Sequence, residues 1–142
     1  MDYFYVINNL SHEIGIALGV GGATIAFILS RKAEKEPKSA PVLGKAINLI
    51  SKFIFIGLLL LVVSGIGLMF TVSWPMNRQL LIAKHVLVVL IFLNGIYLSR
   101  TSKRVEQLKG TSKFDEVKRR MKKIGAFNLF LWYAVTVISV VI

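Results

Sequence analysis

Four ionisable side chains interrupt the apolar runs of this chain, and they come as two adjacent pairs: His12 and Glu13 in "LSHEIGI", Lys84 and His85 in "LLIAKHVLVV". The chain has two histidines in all, and both lie in these runs. A charge or a strong hydrogen-bonding group in hydrocarbon is costly, so intramembrane residues of this kind point to function. Two imidazoles offered from two helices suit one chemistry above others, axial ligation of haem iron in an apolar pocket. On this reading His12 and His85 are the metal ligands of a haem b. Glu13 and Lys84 have each other as natural partners, because an ion pair spares each the cost of an unpaired charge. Two other roles for Lys84 stay open: a contact to a haem propionate or a snorkelling surface lysine. A third is axial ligation by a deprotonated amine in place of His85.

Other metals fit less well. "HEIGI" begins like the zinc motif HExxH, but Ile16 stands where the second histidine belongs. Two histidines are too few for zinc without further ligands, and copper would need more sulfur than Met69 and Met76 supply. A His/Met haem using Met69 is a minor alternative. The absence of cysteine excludes disulfides, thiolate nucleophiles and iron–sulfur clusters.

The elements that must position these residues are membrane spans. Of the 142 residues 55% are hydrophobic, and the mean hydropathy is +0.67; both values lie far outside the soluble norm. Four segments, about 3–30, 53–73, 80–99 and 124–142, approach the ~20 residues that cross ~30 Å of hydrocarbon. None alternates as a transmembrane β-strand would. The fold class is therefore all-α, a single-domain four-helix transmembrane bundle over 1–142. The N-terminal "MDYFYVINNLSHEIG" has neither a basic leader nor a small-residue cleavage site, so the first helix is expected to be retained.

Charge sets the orientation. Lysines and arginines crowd the loops 31–52 and 100–123, while "SWPMNRQ" between spans two and three offers only Arg78. By the positive-inside rule the two basic loops are cytoplasmic and both termini are outside. The formal charge of +11 thus belongs to one face. Anionic lipid is its expected partner, and no nucleic acid is, since no aromatics interleave with the basic residues. The first loop, "RKAEKEPKSAPVLGK", reads as an irregular linker. In the second, helix 3 continues past the membrane, the chain turns at Gly110, and helix 4 starts with Ser112 as N-cap and Asp115 and Glu116 in its first turn.

Depth brings the histidines to one level. His12 precedes Arg31 by 19 residues and His85 precedes Arg100 by 15, or about 28 and 22 Å at 1.5 Å per residue. Both fall in the outer half of the bilayer, on parallel helices. His12, Gly15, Gly19 and Gly22 form one stripe of the first helix, and two uses of it stand side by side. It offers room for a macrocycle, which would make these glycines cofactor-binding, or it is a GxxxG packing seam. Tyr97, Asn94, Asn128, Trp132 and Tyr133 are candidates for a quinone site or for interhelical hydrogen bonding.

"LSHEIGIALGVGGATIAFIL" resembles the first helix of the copper-resistance D-type and protoporphyrinogen-oxidase-type (HemJ-like) membrane proteins. "VVSGIGLMF" is similar to their second helix and "LLIAKHVLVVLIFL" to their third. His12, Gly21, Gly22, Gly65 and Lys84 match the pattern. The resemblance implies a small four-helix membrane protein that binds haem b through the first-helix histidine and the third-helix lysine, which would make Lys84 the second ligand. This chain differs in having His85 directly after that lysine, and it lacks the Trp before "GG" and the arginine and tyrosine elements of the oxidases.

The expectation is a small membrane cytochrome, for electron transfer or for redox or gas sensing, multi-pass in a prokaryotic inner membrane by default. Its alternatives are a cofactor-free membrane protein with a polar packing or metal-handling cluster, and HemJ-like porphyrinogen oxidation. No nucleophile with its base is visible, so any catalysis belongs to the cofactor. The redox partner and homo-oligomerisation are open at this stage.

Overall fold

In a computed structural model, which describes residues 3–71 and 78–141, the helices are α1 (Tyr3–Ile16), a π-helical segment (Ala17–Gly21), α2 (Gly22–Lys35), α3 (Ala40–Thr71), α4 (Arg78–Gln107) and α5 (Phe114–Val141). The π segment joins α1 and α2 into one apolar rod. Four stretches are therefore long and apolar enough to cross a membrane: Tyr3–Lys35, Ala40–Phe70, Gln79–Gln107 and Phe114–Val141. This is the all-α, four-helix class expected from the sequence, as a multi-pass integral membrane protein requires. Leu, Ile, Val and Phe side chains stand exposed along all four, from Ile7 and Ile14 to Phe130 and Val137. In water such a surface would aggregate; facing acyl chains it costs nothing.

Hydrocarbon offers no water to the backbone, so hydroxyls inside the spans bond their own helix. Thr24 donates to the Val20 carbonyl, Ser51 to Ile47, Thr136 to Trp132 and Ser139 to Val135, all at 2.8–2.9 Å.

The chain divides into two compact units, Met1–Arg78 and Gln79–Ile142. In the first, the α1–α2 rod lies against α3. The sequence reading made 31–45 an irregular linker within a loop of 31–52. Here α2 continues to Lys35 and α3 starts at Ala40, so only the residues from Glu36 to Ser39 break the helices. Pro41 lies in the first turn of α3, where a missing N–H removes no helical bond. Beyond it Val42, Leu43, Ala46, Ile47, Leu49 and Ile50 sustain the helix. The chain reverses through N–H bonds from Glu36 to the Lys32 carbonyl, Ser39 to Glu36 and Leu43 to Ser39, at 2.9–3.0 Å. Arg31 stacks over the Phe27 ring, 5.4 Å from its centroid, near the basic end of α2.

In the second unit α4 does run well past its apolar stretch, to Gln107, and the chain turns at Gly110, whose φ of +87° favours glycine. Helix α5 begins at Phe114, with Asp115 and Glu116 in its first turn. Ser112 is not the residue before it. Lys113 holds that position, its carbonyl accepting from the Val117 N–H at 3.1 Å. Buried side chains in this unit include Ile91, Leu131, Trp132 and Val135.

Candidate functional site

The first unit builds a polar site around His12. Two turns of helix carry Asn8, His12 and Gly15 along the face of α1 that meets α3. His12 is 8% exposed, and its Nδ1 lies 3.0 Å from Oγ of Ser64, itself 1% exposed. Ser64 has one hydroxyl proton, and it goes to the Leu60 carbonyl on its own helix. Its oxygen must then accept, so His12 donates from Nδ1–H. In the neutral ring this assigns the lone pair to Nε2. A methyl placed on Gly65 would lie 4.0 Å from Cε1 of His12, so the ring lies over a position without a side chain.

One turn toward the N-terminus, Asn8 covers Gly67, where a methyl would come within 2.6 Å of Oδ1. Asn8 Nδ2 is buried and makes no hydrogen bond among the described residues. Sequence reasoning missed both Asn8 and Ser64. The available signals were the i, i+4 spacing of Asn8 and His12 and the lone hydroxyl in "VVSGIG".

Toward the basic end the seam closes. A methyl on Gly15 would lie 2.9 Å from the Gly57 carbonyl oxygen and 2.9 Å from Leu61 Cγ; one on Gly57 would lie 2.9 Å from the Gly15 oxygen and the Gly19 nitrogen. On Gly22 it would meet Ile54 Cγ1 at 2.7 Å. The space beside Gly15, Gly19 and Gly22 is thus taken by α3, and the stripe is a packing seam of the small-residue kind. A macrocycle has no room between these two helices below His12. Gly21 has open space around it.

His85 and Lys84 belong to the second unit. His85 is exposed on α4, and its Nδ1 lies 2.8 Å from the Leu81 carbonyl. A carbonyl only accepts, so here too Nδ1–H donates and Nε2 carries the lone pair. Lys84 is half-buried, and Glu13, in the first unit, is exposed. Met69 is exposed at the end of α3; Met76 lies outside the described residues. Among the described residues, no three His, Asp or Glu side chains converge as a metal-binding group.

Of the candidates for a quinone site, Asn128 and Trp132 are buried one turn apart on α5. Among the described residues, Asn128 Oδ1 and Trp132 Nε1 are without a hydrogen bond, as is Asn94 Nδ2 on α4. Tyr97 and Tyr133 are exposed.

No known protein family, characterised protein or solved structure matches the chain.

Proposed function

We propose that this is a small membrane cytochrome, a haem b protein with His12 and His85 as axial ligands, serving electron transfer or redox or gas sensing. One observation carries the reading: both histidines of the chain lie in spans, and both commit Nδ1–H to an oxygen of the protein, Ser64 in one case and Leu81 in the other. Histidines that bind metals are oriented in this way, with the second nitrogen donating to a fixed acceptor and Nε2 left basic. Imidazole is the commonest axial donor to haem iron, and this supports the reading. The glycine stripe contributes by packing, holding α3 and its Ser64 against His12, and not as a cradle. Bound haem would supply reversible one-electron chemistry and a site for small gases. Ser64 would fix the His12 ring, Leu81 the His85 ring, and the apolar spans would exclude water.

The test is the absorption spectrum of detergent-purified protein, oxidised and dithionite-reduced, beside His12→Ala, His85→Ala and Lys84→Ala. A Soret band with sharp reduced α and β bands, lost or altered in both histidine variants and kept in Lys84→Ala, is the expected result. Loss in Lys84→Ala with retention in His85→Ala would make the lysine the ligand, as the family resemblance implies.

A second reading, of a cofactor-free protein with a polar packing cluster, is favoured by the burial of His12 against Ser64 in a closed seam. Colourless protein after expression with ample haem would decide for it.

A further inference from the structure

A groove of about 380 Å³ runs along α4 at its basic end, lined by Leu93, Ile96, Tyr97, Arg100, Thr101 and Arg104. These positions repeat at three- and four-residue intervals, so they form one strip of one helix, about 16 Å long at 1.5 Å rise per residue. Its chemistry changes along the strip. Leu93 and Ile96 are apolar, Tyr97 brings a phenol, and Arg100 and Arg104 stand one turn apart just past the apolar run. Thr101 is 7% exposed although arginines flank it on the strip.

We infer that this groove is a binding site for one anionic phospholipid, with the phosphate between Arg100 and Arg104 and an acyl chain along Leu93 and Ile96. Charge complementarity and the order of the residues favour this occupant. Guanidinium groups grip phosphate oxygens in pairs, which a single lysine cannot do. The polar end of the strip lies where the apolar span ends, at headgroup level, and the apolar end points toward the hydrocarbon. A free phosphate would use the arginines alone and leave Leu93 and Ile96 without a role. The site is independent of haem and of the histidines.

The experiment is native mass spectrometry of the full chain in nonionic detergent, titrated with phosphatidylglycerol, phosphatidylcholine or inorganic phosphate. One phosphatidylglycerol is expected to bind in preference to phosphatidylcholine. At about 1 kcal/mol per basic residue near an anionic surface, Arg100→Gln and Arg104→Gln should each weaken it about fivefold. The pair Arg119→Gln and Arg120→Gln, which removes the same charge from α5, should leave affinity within twofold. Equal weakening by both pairs would overturn the site in favour of diffuse attraction. Equal binding of phosphatidylcholine, or competition by phosphate at the same concentration as lipid, would overturn it as well. All four arginines are exposed, and unchanged helical circular dichroism verifies that each variant folds.

Discussion

Ser64 holds the His12 ring in one tautomer, and its removal is the sharpest residue-scale test of the site. Ser64→Ala leaves a buried Nδ1–H without that acceptor, a loss of about 1–3 kcal/mol. Unfolding in detergent should register this loss, while Leu60 keeps its helical bonds. The ¹⁵N shifts of His12 should move at the same time, because the Ser64 acceptor of its Nδ1 proton is gone; unchanged shifts would mean that the Ser64 bond does not set the tautomer. At this scale the sequence was half legible. A histidine in a hydrophobic run declares itself, since its cost in lipid is large. Ser64 and Asn8 do not, because small neutral polar residues are common in membrane helices, and only the partner opposite gives them meaning.

At the scale of elements, the glycine seam makes the fit of α1 on α3 intolerant of added bulk. Gly57→Ala places a methyl 2.9 Å from backbone atoms of Gly15 and Gly19, which cannot swing aside as a side chain would. It should destabilise the first unit by about 1–3 kcal/mol. Gly44→Ala, on the same helix with open space around it, should be neutral or slightly stabilising. Thermal melts of the two variants side by side check the difference; equal melting would mean the seam does not form. The four spans were readable because length and apolarity suffice to define them. The seam's purpose was not, since a row of glycines admits a macrocycle and a neighbouring backbone equally well, and spacing cannot choose between them. The helical 40–52 region was obscured for another reason: prolines and charges signal a linker, but Pro41 falls in a helix's first turn, where it breaks nothing.

For the whole molecule, the distribution of charge predicts that both basic connections lie on the same side of the membrane. The chain has no cysteine, so single cysteines report without background. Ser39→Cys and Lys109→Cys should react with an impermeant maleimide only from the cytoplasmic side of sealed vesicles, and Tyr3→Cys only from the other. Labelling of Ser39→Cys and Lys109→Cys from opposite sides would refute the arrangement of spans. The approach of Gly15 to Gly57 has a further consequence. A methyl on either glycine would lie 2.9 Å from the other's carbonyl oxygen, so the two backbones meet with no side chain between them. Such a fit owes nothing to side chains at these two positions. A mutational scan that truncates side chains would therefore pass over this joint in the first hairpin, and one that adds a single carbon would find it.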